Sequence, residues 1–316
     1  MEYEIIVKIF QGLQSLQPIP APVVTIGTFD GVHLGHLQIL RRLNQLASHN
    51  GGESVMITFY PHPRMVLYPD DQDLRLLNSQ EEKTEKLREA GLQNLIVIPF
   101  TREFSRLSSL EFVRNILVNT LGMKNLVIGH DHHFGRNREG RFSDLIEYSP
   151  VYGFEVEEVP ALELDEIPVS SSKIRHALAS GNIALANIYL GYKYMLTGTV
   201  IKGEGRGHKL GFPTANIHPS FPYKLIPGNG VYAAQLSLEG QIFPAVVNIG
   251  TKPTFNGRSV AIEAHIPGFS GDLYGKDLTL FFENKIRNEE KFPSVDALRL
   301  QIAADVLSAM KMLEVT

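Results

Sequence analysis

Short apolar runs alternate with helix-period segments through the first part of the chain. Residues 23–26, 54–59, 95–98, 126–128 and 155–159 have the length and β-branched content of strands. Between them, residues 34–48 carry Leu37, Leu40, Leu43 and Leu46 at helical spacing, and 79–90, 108–121 and 142–148 also read as helices. Strands separated by helices predict βαβ units on a mostly parallel sheet. Ligands of such sheets bind at the carboxyl ends of the strands. The segments 27–36, 60–64, 129–138 and 170–175 are therefore expected to converge on one edge. Serines 170–172 sit where a helix N-cap belongs, Gly181 ends that helix, a short helix covers 183–190, and 191–194 reads as a linker.

After Met195 the texture changes. Apolar, β-branched segments recur at 196–201, 230–238, 242–249, 260–266 and 278–282, with Glu239-Gly240 placed as a hairpin turn. Short strands at this spacing predict an antiparallel barrel or sandwich. Ser294 is placed to cap a final helix whose Leu298, Ile302 and Val306 form a packing stripe. Two domains are expected, 1–187 and 188–316.

Composition narrows the partners. Hydrophobic residues make up 43% of the 316, enough for sizeable cores, and the net charge of −4 argues against a nucleic-acid partner. The absence of cysteine excludes disulfides, thiolate catalysis and cysteine-ligated metal. No apolar run is long enough for a membrane span, and the start lacks the pattern of a signal peptide, so a cytoplasmic protein is expected. A homo-oligomer is left open.

Two stretches carry chemistry. In Gly27-Thr28-Phe29-Asp30-Gly31-Val32-His33-Leu34-Gly35-His36, a glycine-rich turn joins a strand to a helix, an arrangement that aims free N–H groups at phosphate. His33 and His36, three apart, share one side of the first helical turn. Ser170–Ser172 and Arg175 add hydroxyls, helix-start amides and a bidentate cation. A strand–glycine–helix turn is by itself a common connection; its combination with a Pro-His-Pro loop and the later serine-rich helix start points to adenylyl transfer. Such a reaction needs two anions held together and donors aimed at the α-phosphate. Asp131-His132-His133 follows His130 in an extended loop, where adjacent side chains point in different directions, so a pocket lining is expected rather than a metal centre.

These residues, with Phe59-Tyr60-Pro61-His62-Pro63-Arg64 and 129–138, resemble the FMN adenylyltransferase half of bacterial bifunctional riboflavin kinase/FAD synthetases. The resemblance implies a doubly wound, Rossmann-like nucleotidyltransferase domain. It implies catalytic roles for His33 and His36, and ATP binding by Gly27, Phe29, Asp30, Gly31, His33, Gly35, His36, Ser171, Ser172 and Arg175. FMN would meet His62, Pro63, Asp131 and Phe134. The chain departs from the family pattern at His132-His133, where Phe-Arg is frequent, and at Ser172, where threonine is common.

The second stretch runs from Gly203 to Asn216, with glycines at 203, 205, 207 and 211. It lacks the Gly-Lys-Ser/Thr ending of a Walker A loop. Thr214 and Asn216, two apart on a strand, face the same side and offer hard oxygen ligands suited to Mg²⁺. Glu263 is the candidate base; the alternative is that it simply occupies the solvent face of an alternating strand. The glycine loop, Pro213-Thr214-Ala215-Asn216, Asn248-Ile249-Gly250-Thr251-Lys252-Pro253-Thr254-Phe255, Ile262-Glu263-Ala264-His265 and Asp272-Leu273-Tyr274-Gly275 resemble riboflavin kinase. That implies a six-stranded antiparallel β-barrel with a terminal helix, ATP bound by Gly205, Gly207, Lys209, Gly211, Pro213 and Thr214, riboflavin by Glu263 and Arg287, and Mg²⁺ by Thr214 and Asn216. His208 and Lys252 stand where arginine is usual. The expectation is a bifunctional enzyme that converts riboflavin to FMN and FMN to FAD, with ATP as donor in both steps. Its rivals are another phosphorylated acceptor, such as pantetheine phosphate, and a flavin-binding regulator without turnover.

Overall fold

The computed structural model describes residues 6–71, 73–164, 167–203, 205, 207, 210–254 and 257–313, with side chains for all of these except 252–254 and 257–259. The chain divides into two compact units. One comprises the residues up to Leu74 and Gln80–Ser170; the other comprises Arg75–Ser79 and the chain from Ser171 onward.

The first unit is a doubly wound sheet. Strands β1 (Lys8–Gln11), β2 (Val23–Ile26), β3 (Ser54–Tyr60), β4 (Asn94–Pro99), β5 (Asn125–Gly129) and β6 (Glu155–Val159) lie in the order β1-β4-β3-β2-β5-β6, every pair parallel. β2 is buried throughout, and β3, β4 and β5 are buried over nearly their whole length because both faces are covered, so they read as unbroken apolar runs. Val24 and Ile26 face a core shared with Phe112, Val113 and Leu145; Val23 faces a core shared with Leu40, Leu43 and Leu87. The leucine stripe therefore does what its period predicts, placing α1 (Leu34–His49) on one face. The helices α2 (Pro63–Leu67), α3 (Gln80–Glu89) and α5 (Phe142–Tyr152) complete this unit together with a modified fourth helix. The edge strands β1 and β6 keep charged or polar exposed positions, which blunts their free edges.

The structure departs from the sequence expectation at three places here. β1 is an additional edge strand, with only Phe10 buried among its four residues. A short α2 occupies part of the expected loop at 60–64. The helix expected at 108–121 is α-helical only in α4 (Ser109–Glu111), started by a reciprocal Ser108/Glu111 capping box, and continues as a π-helix over Phe112–Thr120. Its buried residues Phe112, Val113, Ile116 and Leu117 recur at a spacing that either helix form serves.

A short antiparallel pair, β7 (Glu163–Leu164) and β8 (Ile167–Pro168), ends the first unit. The second unit starts with α6 (Ser171–Ala179) and α7 (Ile183–Leu190). A closed antiparallel barrel follows: β9 (Met195–Ile201), β10 (Thr214–Pro219), β11 (Gly230–Leu238), β12 (Gln241–Thr254), β13 (Gly257–His265) and β14 (Asp277–Arg287), in the order β10-β13-β12-β11-β14-β9 and closed by β9 on β10. Every second residue fills the interior, including Val200, Ile217, Tyr232, Ile262, Leu280 and Phe282. The segment Arg75–Ser79 is stitched to this unit. Leu76 pairs with Lys224, the buried Lys224 ammonium donates to the Leu77 carbonyl at 2.6 Å, and it lies 4.6 Å over the Tyr194 ring.

The terminal helix α8 (Val295–Leu313) is capped by Ser294 as expected, its Oγ accepting from the Ala297 amide at 3.1 Å. Its buried line is Asp305 and Ala309, flanked by Val306 and Met312, which pack against Val231, Ala233 and Val246 on the outside of the barrel. Asp305 grips Arg287 of β14 through Nε at 2.9 Å and Nη2 at 2.8 Å. Both groups are largely withdrawn from solvent, so each depends on the other for its charge to be tolerated. Asp305→Ala is expected to cost roughly 3–5 kcal/mol, read as a fall in the urea midpoint. The double change Arg287→Met, Asp305→Leu should lose markedly less.

Candidate active sites

In the sheet order, the chain runs from β2 toward β3 and β4 on one side and from β5 toward β6 on the other. The switch point falls between β2 and β5, where such sheets open a crevice at the strand ends. The two stretches flanking it are residues 27–33 after β2 and 130–135 after β5. Gly129 closes the approach: a Cβ there would sit 3.1 Å from Ile39 of α1.

The turn after β2 is held in an unusual backbone. Phe29 (φ 44°) and Val32 (φ 36°) are both left-handed without being glycine, and Gly31 has φ 93°. Burial of Phe29 and Val32 in the core under α1 compensates for that strain. Gly27 is required by close approach, because its Cβ would lie 2.8 Å from the Phe29 ring. His33 N-caps α1, its Nδ1 accepting from the His36 amide at 3.4 Å. That assignment leaves the ring proton of neutral His33 on Nε2. Phe29, His36 and His33 form a stack, with centroids 4.3 Å and 3.6 Å apart. Burial, then the neighbouring His33 and Lys83, push His36 well below the ordinary histidine pKa, so it is a neutral imidazole. Its Nδ1 is buried without a hydrogen-bond partner in the protein. Asp30 is buried beside this stack.

The remaining residues expected in this site are distributed as follows. Gly35 lies in the first turn of α1, with the Val169 carbonyl 3.9 Å from where its Cβ would be. Val169 leads into α6, which carries Ser171, Ser172 and Arg175 and belongs to the second unit. Arg175 donates from Nε to the Arg75 carbonyl at 3.0 Å. His62 caps α2 by accepting from the Arg64 amide at 3.2 Å, with Pro63 as its first residue. Asp131 is exposed, and Phe134 is buried and bridged to Gly140. Phe134 ends a line of rings that runs from Phe59 through Phe104 and Phe112, at centroid separations of 5.6, 6.2 and 6.1 Å. Only Phe134 of this aromatic wall is among the expected site residues. His132 lies 5.9 Å from Phe134 with its ring nearly parallel.

Sequence reasoning also missed Lys83. It lies on α3, is buried, and donates to the Thr28 carbonyl (3.3 Å) and to Thr58 Oγ1 (3.1 Å). Burial lowers its pKa to about 8 against the attraction of Asp30. The stretch Gln80–Glu89 is so polar that its lysines all read as solvent-facing.

In the barrel, register carries the second site. Asn216 of β10 pairs with Glu263 of β13, which pairs with Asn248 of β12; Thr214 pairs with His265. Directly paired residues share a face about 5 Å apart. Ile262 and Ala264 are buried on either side of Glu263 and point inward, so Thr214, Asn216, Glu263 and Asn248 occupy the outer face. The glycines press a loop onto these donors. A Cβ at Gly203 would meet Asn216 Nδ2 at 2.0 Å, and one at Gly207 would lie 3.1 Å from Thr214 Oγ1. His265 Nδ1 donates to the Pro213 carbonyl at 2.8 Å and fixes the entry to β10. Gly205 and Gly211 take left-handed φ of 67° and 82°. Lys209, with Glu204, Arg206, His208 and Phe255, lies outside the described residues. Arg287 is in the same register row as Glu263, through Asn248 and Val231. It stands three strand spacings away, roughly 14 Å, with its guanidinium clamped by Asp305. Asn248 is the residue here that sequence reasoning left unassigned: an outward polar position on a strand has no meaning until its partner strand is known.

Known proteins bear on both units. A family model for FAD synthetase matches residues 17–173, and one for riboflavin kinase matches 190–313. The bifunctional riboflavin kinase/FMN adenylyltransferase of Pseudomonas fluorescens is 38% identical, covering 96% of both chains. That of Haemophilus influenzae is 40% identical over 90% of this chain and 92% of its own. A crystal structure described as a macrolide-efflux protein from Streptococcus pneumoniae superposes with a TM-score of 0.87 at 31% identity, covering 95% of this chain and 97% of that one. Among the described residues, no helix is long and apolar enough to cross a membrane.

Burial lowers His132 to a pKa of about 4, from an ordinary 6.5. The unfolded chain therefore binds more protons than the folded one between those values, and stability falls as pH falls. This contribution is intact above about pH 6.5 and lost as the pH drops toward the folded value. His132→Leu is expected to flatten the acid limb of stability over that window, measured by urea unfolding at successive pH values.

Proposed function

The chain belongs to the family of bifunctional riboflavin kinase/FMN adenylyltransferases, and we propose that its residues divide the two reactions as follows. Residues 188–316 convert riboflavin and ATP to FMN and ADP; residues 1–187 convert FMN and ATP to FAD and diphosphate.

In the kinase reaction, Glu263 accepts the proton of the terminal ribityl hydroxyl while that oxygen attacks the γ-phosphorus of ATP and ADP departs. Thr214 and Asn216 are the metal ligands. Their hydroxyl and amide oxygens lie on one face beside Glu263, under a glycine loop that only a missing Cβ lets close, which suits a hard cation that also binds phosphate oxygens. Mg²⁺ bound there would neutralise charge on the transferring phosphoryl group. Gly205, Gly207, Lys209, Gly211 and Pro213 line the triphosphate, and Arg287 shapes the flavin end of the face from under α8.

In the adenylyl transfer, a phosphate oxygen of FMN attacks the α-phosphorus of ATP and diphosphate leaves, with no covalent enzyme intermediate. Neutral His36 and His33 donate ring N–H groups to phosphate oxygens, together with the amides of the turn at Gly27, Phe29, Asp30, Gly31 and Gly35. Ser171, Ser172 and Arg175 of α6 are further ATP-binding residues of this reading. His62, Pro63, Asp131 and Phe134 receive FMN, the last at the end of the aromatic wall. The observation that carries the reading is the placement of the His33–His36 pair at the start of α1, beside the sheet's switch point. ATP, riboflavin, FMN and FAD are the partners, and the compartment is the cytoplasm.

Glu263→Ala should lower FMN formation by about 10²–10⁴-fold and leave conversion of supplied FMN to FAD intact. His36→Ala should lower FAD formation by about 10²–10³-fold and leave FMN formation intact. Both are followed by separating riboflavin, FMN and FAD over time with ATP and Mg²⁺, and again with excess chelator, which should stop both reactions. Near-normal FMN output from the Glu263 variant would remove the base assignment. Equal use of other phosphorylated acceptors would remove the FMN assignment.

A further inference from the structure

We propose that Lys83 is a positioning residue of the adenylyl-transfer site: its ammonium holds the nucleotide-binding turn from beneath and supplies positive potential to the phosphates bound above it. The proposal rests on the reading of His33 and His36 as that site.

The observations are geometric. Lys83 comes from α3, far in sequence from the turn, yet its Nζ reaches the carbonyl of Thr28 at 3.3 Å, between Gly27 and Phe29. A second bond, to Thr58 Oγ1 of β3 at 3.1 Å, fixes the ammonium against the strand next to β2. Thr58 is fully buried, so the anchor is rigid. Holding the Thr28 carbonyl down fixes the peptide plane that precedes the left-handed Phe29. The amides that follow are then oriented for an anion without reorganisation when it arrives.

A hydrogen-bonding role alone does not explain a charge in this position. Burying an ammonium is costly, and an uncharged donor would hold a carbonyl and a hydroxyl at lower cost. What the charge adds is a field at the site. His36 registers that field, since Lys83 is among the causes of its lowered pKa, along with burial and His33. The cation acts on an imidazole from α3, and Asp30 acts on the cation from the turn. A field that disfavours a proton on His36 favours phosphate oxygens in the same place, in surroundings where water screens little.

The test uses the full chain with Lys83→Gln, Lys83→Met and Lys83→Arg, beside His36→Ala. Gln keeps donors for Thr28 and Thr58 but removes the charge. FAD formation from FMN is measured for kcat, for the KM of ATP and for its pH profile. FMN formation and the urea midpoint are taken on the same preparations. Lys83→Gln is expected to keep its urea midpoint and its FMN formation, while kcat/KM for FAD formation falls by about 10²-fold and the KM for ATP rises. The acid limb of the pH profile should move upward, because His36 loses a neighbouring cation. Arg should restore most of the rate. A Gln variant within twofold of the parent, with an unmoved pH profile, overturns the inference while His36→Ala shows its expected loss. Loss of FAD formation only in step with the urea midpoint, in Gln and Met alike, overturns it too, since Lys83 would then act as scaffold alone. Full activity in His36→Ala would instead remove the underlying site assignment.

Discussion

The first unit turns on a backbone that two bulky side chains should avoid. Phe29 and Val32 accept left-handed φ because their side chains are buried under α1, and that burial places the turn, the cap of α1 and the two imidazoles in one arrangement. Relief of the strain would require withdrawing Phe29 from its stack on His36 and Val32 from the core. The site is rigid for the same reason that the domain is folded. A binding turn built on permissive glycine alone would lack that coupling.

The barrel solves a similar problem by register. No single strand carries the candidate kinase site. Asn216, Glu263 and Asn248 come together because three antiparallel strands meet with those residues opposite one another. Closure of the barrel removes the edges at which that register would slip. The glycine loop then completes the face by lying closer to Thr214 and Asn216 than any side chain would permit.

Much of the fold was legible in the sequence wherever the physics is one-dimensional. Central strands are apolar because they are covered twice, and α1 shows its leucine stripe because it is covered once. β1 was illegible, since an edge strand of four residues with only Phe10 buried carries almost no pattern. The π-helix was illegible because buried positions at 112, 113, 116 and 117 satisfy an α-helix equally well. Lys83 was hidden within the most polar helix of the first unit, where composition argues for solvent. Asn248 was hidden because strand pairing is a two-body property. The glycine turn, both histidines, Thr214, Asn216 and Glu263 stood out as candidates for chemistry through their order along the chain and their resemblance to a known family.

The stitch between Arg75–Ser79 and the barrel unit has a consequence for how the protein can be divided. The riboflavin kinase family match begins at residue 190, yet the compact unit that contains it also draws in α6, α7 and a five-residue loan from the opposite half. A gene fragment that begins at residue 190 leaves out the Leu77 carbonyl to which the buried Lys224 ammonium donates. The two family matches are thus consecutive along the chain, while the two compact units are not. A scission that separates the reactions on paper would expose, in the barrel unit, a seat shaped for a piece of chain that has been given away.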